Sequence, residues 1–222
     1  MIRTTDWGEE FVGPDFFVGF GHIQMDRLAL ASHLGGLRLA EMNQVHGSEI
    51  REVEGRMPSC DGLTTVHRQQ ALMVKTADCL PIMLSSGERI FALHAGWRGL
   101  VKGLLFSTAQ WAGFDGQTQA VIGPHIQFSS FEVGLEVVNE VLWSMNQWSR
   151  AYDEGQLLAT HQDPEKRYLN MSYLASWQLR GLHLSAENIW VSEVDTLTSP
   201  LWHSYRRQGS EAGRNLHWIY RP

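Results

Sequence analysis

Two cysteines, Cys60 and Cys79, are too few for a disulfide framework, so a packed core has to hold the fold. The seven prolines are scattered, and no Pro-, Ser- or Gly-rich linker and no internal repeat divides the chain. No apolar run approaches the ~18 residues of a membrane span. The first ten residues, Met1 to Glu10, are acidic and lack the apolar segment of a secretory leader. Positive charge is also short. Eighteen basic residues against 24 acidic ones leave −6, so the overall basic footprint of a nucleic-acid binder is missing. These absences favour one domain over residues 1–222, cytoplasmic and reduced, with neither membrane nor nucleic acid as a partner.

What is present is the composition of a globular protein: 43% hydrophobic and 19% charged residues in a chain of 222. That length can bury a sizeable core. Nine tryptophans point to an aromatic-rich interior, with most of them expected in the core.

Short apolar runs bounded by Gly and Pro predict strands at Phe16–Phe20, Leu37–Met42, Ala71–Val74, Pro81–Leu84 and Ile90–Leu93. Two more strands are expected at Ile189–Val194 and Leu216–Tyr220. Helical spacing links Leu100, Leu104, Leu105, Thr108 and Trp111, with Gly113 as the stop. A second stripe runs Leu135, Val138, Val141, Leu142 and Met145. Asn170 is placed to cap a third helix that ends near Gly181. Strand and helix alternate without strict order. The expected class is therefore α+β, a layered sandwich around a mixed sheet.

Three glycine-punctuated loops carry reactive side chains: Asn43-Gln44-Val45-His46-Gly47, Thr76-Ala77-Asp78-Cys79-Leu80-Pro81 and His94-Ala95-Gly96-Trp97-Arg98-Gly99. His46, Cys79 and His94 together would offer two imidazoles and a thiolate, a donor set that suits catalytic zinc with an open fourth position. The same atoms serve without metal if Cys79 is a nucleophile, His94 its base and Asp78 or Asn43 the orienting group. Cys60 reads as a small residue beside a turn. The start of the helix after His94-Ala-Gly-Trp-Arg-Gly, with Arg98 and Lys102 nearby, can bind an anion. His125 faces either the site or a sheet edge. Ser204-Tyr205-Arg206-Arg207 sets two guanidiniums beside an aromatic ring, suited to a phosphate or a stacked base.

These segments resemble one family. Asn-Gln-Val-His-Gly at 43–47, Cys60-Asp-Gly-Leu, Thr-Ala-Asp-Cys-Leu-Pro at 76–81 and His-Ala-Gly-Trp-Arg-Gly at 94–99 stand in the order seen in YfiH-type proteins. Gly123-Pro, Phe131-Glu-Val-Gly and Ser204-Tyr-Arg-Arg follow in the same order. That family has been called laccase-domain or multicopper polyphenol oxidase, is also described as purine nucleoside phosphorylase, and includes the peptidoglycan editing factor. The resemblance runs from about Phe16 to the C-terminus and implies a single α+β sandwich. It also implies a metal site, zinc or alternatively copper, with ligands His46, Cys79 and His94. The implied activities are phosphorolysis of adenosine, inosine or methylthioadenosine, deamination of adenosine, and an older copper-dependent phenol oxidation.

The implied partners are a purine nucleoside and phosphate, bound by a monomer or a homodimer. Asp78 or His125 would move protons. Arg98 and Arg206 would hold phosphate, and Asn43, Gln44 and Asp61 would contact sugar hydroxyls or base edges. Three rivals stand beside the nucleoside enzyme: a metal-free cysteine hydrolase, a copper oxidase, and a zinc-stabilised binder of a nucleoside or cell-wall fragment. The sequence departs from the family pattern in three places. Phe17-Val-Gly-Phe-Gly-His-Ile-Gln replaces a longer, arginine-bearing stretch. His125 stands where a small residue is common, and Asp195-Thr196 where Cys-Thr is common.

Overall fold

The structure is a computed structural model that describes residues 1–55 and 57–222. One six-stranded sheet runs β1 (Arg3–Thr5), β2 (Gly8–Val12), β3 (Phe17–Gly21), β15 (Asn215–Tyr220), β7 (Gln70–Thr76), β4 (Arg38–Ala40). A second runs β14 (Ile189–Val191), β10 (Gln119–Ile122), β8 (Leu80–Ser86), β9 (Arg89–Ala95), β6 (Gly62–Thr65), β5 (Ile50–Glu52). A small antiparallel sheet orders β11 (Glu132–Gly134), β13 (Lys166–Leu169) and β12 (Leu158–Thr160). The large sheets are mixed, because β4–β7, β5–β6 and β10–β14 pair in parallel. The helices are α1 (Arg27–Leu34), α2 (Trp97–Val101), α3 (Leu104–Ala112), α4 (Leu135–Asn146), α5 (Glu154–Leu157), α6 (Met171–Gly181) and α7 (Tyr205–Gln208).

Side-chain alternation along the strands builds four layers. In β7, Leu72 and Val74 face inward to meet Met83, Ile90 and Ala92 of the second sheet. Their neighbours Ala71 and Met73 face outward to Leu30 and Leu34 of α1. In β9, Phe91 and Leu93 point the other way, onto Leu104, Leu105, Val141 and Leu174 of the helices. Strands covered on both faces need no polar side, which is why they read as continuous apolar runs in the sequence. Fully burying a side chain such as Phe20, Met83 or Leu84 contributes ~1.5–3 kcal/mol.

The α+β layered sandwich is the fold that forms, with two large mixed sheets where one was expected. β7, β8 and β9 extend the expected ranges by a residue or two at each end, Phe16–Phe20 shifts by one to Phe17–Gly21, and Leu37–Met42 and Ile189–Val194 contract to Arg38–Ala40 and Ile189–Val191. The helix expected from Leu100 to Trp111 is broken. Gly103 sits in the left-handed region at φ 84, ending α2 and starting α3 afresh. Gly113 then stops α3, and Asn170 caps α6 through the Tyr173 N–H, both as expected. The tryptophan expectation holds in part, with Trp7, Trp97, Trp148 and Trp190 half-buried against the core. Trp177, Trp202 and Trp218 are buried, while Trp111 and Trp143 are exposed on the helical face. No described helix is long and apolar enough to cross a membrane.

Candidate metal centre and its cavity

The three reactive loops meet at one end of the space between the two large sheets. His94 follows Ile90 and Ala92 on the inward face of β9, and Thr76 follows Leu72 and Val74 on the inward face of β7. The β7–β8 loop then turns through Asp78 at φ 94 to deliver Cys79. The 43–47 loop enters from the side, with His46 itself at φ 56. The ligand atoms of His46, Cys79 and His94 all lie within 4.8 Å of one another. The two imidazole rings sit edge to face, 4.8 Å apart. His94 is buried, Cys79 half-buried and His46 exposed, so the group is closed behind and open in front.

Two glycines make room. A Cβ at Gly96 would lie 3.2 Å from Cys79 Sγ and 3.4 Å from a ring carbon of His46. A Cβ at Gly99 would lie 2.9 Å from the Gly47 carbonyl oxygen, so α2 and the His46 loop touch backbone to backbone.

The electrostatics favour a thiolate. Burial acts to raise the Cys79 pKa, but hydrogen bonds and charge from His46 and His94 outweigh it and bring it to about 6. Burial acts to lower His94, yet Asp61 and Cys79 raise it to about 9. Cys60 is the opposite case: burial pushes its thiol up to about 11, and it packs in the core with its Sγ 3.7 Å from Met42 Sδ. Two imidazoles, a deprotonated thiolate and an open side fit a resident zinc or copper ion by donor chemistry. The three residues can hold a metal.

In front of this group is a cavity of about 790 Å³. Trp97, Phe131 and Tyr205 line it, as do Lys75, Arg98, Arg206 and Arg214. In a chain of net charge −6 these cations make a locally positive pocket.

The remaining expected residues fall in three places. Arg98 lies at the mouth with its guanidinium 4.4 Å over the Trp97 ring. Arg206 also lies there, both its terminal nitrogens donating to the Glu132 carbonyl at 3.0 Å. Asn43 lines the cavity and donates to Ser59 Oγ at 3.2 Å. Gln44 is spent on structure: its amide donates to the Lys75 carbonyl at 2.7 Å and accepts the Lys75 N–H at 2.8 Å. Asp78 accepts the Thr196 hydroxyl and the Arg206 backbone N–H, each at 2.7 Å. Both its oxygens thus tie down neighbouring segments, where free proton transfer was expected. His125 is buried, its Nδ1 2.8 Å from the Gly123 carbonyl oxygen, and it is not among the cavity's lining residues. Asp61 is wholly buried and also absent from the lining.

A sequence profile of the family described as multi-copper polyphenol oxidoreductase laccase matches residues 21–222. The chain belongs to this laccase family. It is 30% identical over 174 residues to a protein named purine nucleoside phosphorylase from Rickettsia conorii, covering 75% of this chain and 69% of the relative. It is 30% identical over 192 residues to one of the same name from Xylella fastidiosa strain 9a5c, covering 80% and 71%. In fold it resembles the hypothetical protein YfiH of Bacillus licheniformis, with a TM-score of 0.81 over 93% of each chain at 19% identity.

Sequence reasoning about this laccase-family chain marked Tyr205 beside its arginines but missed Lys75 and Arg214 as cavity cations, and Trp97 and Phe131 as aromatic walls. The Arg98 and Arg206 motifs were signals for two neighbours, Trp97 and Tyr205. Nothing in the sequence brought Lys75 or Arg214 forward. The altered stretch Phe17–Gln24 forms β3 and the turn after it, and none of its residues is among those that line the cavity.

Proposed function

We propose that this laccase-family protein is a zinc-dependent purine nucleoside enzyme that phosphorolyses adenosine, inosine or methylthioadenosine and deaminates adenosine. One observation carries the reading. A His-Cys-His group lies at the floor of a cavity whose walls are aromatic and cationic. The names of the relatives support phosphorolysis first. When bound by His46, Cys79 and His94, zinc supplies Lewis acidity and activates water.

The chain's own residues supply the rest. Arg98, Arg206, Arg214 and Lys75 attract and orient phosphate for attack on the anomeric carbon. Trp97, Phe131 and Tyr205 offer faces for the flat purine and shed water from it. Asp78 holds the Arg206 backbone, and through it α7, at the mouth. Mass spectrometry of protein purified without added metal, alongside incubation with adenosine and phosphate, tests the reading. About one zinc per chain is expected, together with adenine, inosine or hypoxanthine as product. Metal-free protein with full turnover overturns the zinc role. Zinc-loaded protein that turns over none of these nucleosides overturns the substrate.

A second reading has its own observation. With Cys79 at about 6 and His94 at about 9, the metal-free pair is a thiolate and an imidazolium at neutral pH. A cysteine hydrolase of that kind is inactivated by alkylating reagents and indifferent to chelators. A zinc enzyme shows the reverse order of sensitivity.

A further inference from the structure

We infer that Asp61 is the positioning residue of this centre, one buried carboxylate that fixes both the loop carrying His46 and the ring of His94. The inference rests on the proposed role of the two histidines as ligands. Asp61 has no exposed surface, and an uncompensated carboxylate there would be prohibitively unstable. Its compensation is unusually complete. Oδ2 accepts the Gly47 N–H at 2.6 Å and the Val45 N–H at 3.2 Å. Oδ1 accepts the His46 N–H at 3.0 Å and lies 2.8 Å from His94 Nδ1. A carboxylate has about four lone-pair sites, and here four donors fill them. None is left for a sugar hydroxyl, the role the sequence pattern gave this residue.

The two consequences differ in kind. Three successive N–H groups wrapped around an anion form a nest, which requires a left-handed residue in the run. His46, at φ 56, is that residue, and the conformation disfavoured for a side chain with a Cβ is held by the anion it encircles. The second consequence is tautomeric. An ionised carboxylate only accepts, so Nδ1 of His94 must carry the hydrogen, and Nε2 is left with its lone pair for the ligand group. The platform is rigid. The Asp61 carbonyl accepts the His94 N–H at 2.8 Å, and the Asp61 N–H donates to Glu49 at the entry to β6.

Asp61→Asn separates the possibilities, because one amide oxygen cannot satisfy four donors. Chelator competition is expected to show zinc held 10–100-fold more weakly than in the unaltered protein. Turnover of adenosine with phosphate is expected to return when zinc is added in excess. A raised KM for nucleoside that excess zinc does not correct, with zinc affinity unchanged, would overturn the inference and restore Asp61 to the substrate. If the variant does not fold, long-range ¹⁵N NMR of the unaltered, metal-free protein decides instead, recorded at a pH above the His94 value of about 9, where the ring is neutral and carries one hydrogen. Hydrogen on Nδ1 of His94 supports the inference, and hydrogen on Nε2 sinks it. That reading needs neither metal nor turnover, so it stands apart from success or failure of the nucleoside assignment.

Discussion

The floor and the mouth of the cavity are built by opposite rules. At the floor, His94 and Asp61 are buried and every hydrogen-bonding atom of the Asp61 carboxylate and the Gln44 amide has a backbone or ring partner. At the mouth, Arg98, Tyr205, Arg206 and Arg214 are exposed, and the arginines rest on ring faces or carbonyl oxygens. Floor residues hold a geometry that a shift of a few tenths of an ångström would spoil. Mouth residues supply charge and surface, which tolerate movement. A substitution in the floor should therefore change what the protein binds at all, and one in the mouth only how tightly.

The sharpest way to break this contrast is at the thiolate. Cys79→Ala is expected to lose bound metal and to cut turnover by at least ~10²-fold, more than loss of an outer partner would. Metal analysis and a nucleoside assay on one preparation check it. Acid probes the same floor next. His217 is buried with Nε2 2.8 Å from Thr76 Oγ1, and burial, with charge from His94, pushes its pKa down to about 3. Burial lowers His125 as well. Both bind protons more readily when unfolded, so stability is full above about pH 6.5 and falls as the pH drops towards the folded values. His217 should withdraw about 1.4 kcal/mol per pH unit in that window, and His125 acts in the same direction. Denaturant midpoints between pH 7 and pH 4.5 read this, and a flat profile would contradict it.

Gly99→Ala is a milder test. Its Cβ would sit 2.9 Å from the Gly47 carbonyl oxygen, so we expect a loss of about 1–3 kcal/mol in thermal unfolding, with weaker zinc retention. The smallest structural effect belongs to the mouth. Arg98→Ala and Arg206→Ala should each raise KM for phosphate about tenfold, or about 1.4 kcal/mol, and alter folding stability by no more than about 0.5 kcal/mol. Loss of metal from either would erase the distinction between floor and mouth.

The sequence made much of this legible, and unevenly. His46, Cys79 and His94 stood out as a donor set that suits a metal, and the motif resemblance raised them above Cys60 and His125, which also lie close to glycines but are structural. The core strands were visible because burial on both faces leaves no polar positions. Strands such as Arg3–Thr5 and Lys166–Leu169 were invisible, being short and polar. Asp61 was noticed but misplaced. Its position depends on the pairing of Gly62 with Leu93, which sets the residue before β6 beside the one after Leu93. No local pattern encodes that pairing. The same holds for Gln44, whose side chain copies a strand's hydrogen bonds to Lys75, 31 residues away.

The order of strands in the first sheet has a consequence in time. β15, at residues 215–220, lies in the middle, between β3 and β7. Until it inserts, two long hydrophobic strands present open edges, and the layer behind His94 is incomplete. Both of its pairings are non-local, and contacts of that separation form late and slowly. During synthesis the ligand-bearing loops therefore exist well before the scaffold that aligns them. Affinity for metal should rise when β15 inserts, so that metal capture reports closure of the first sheet.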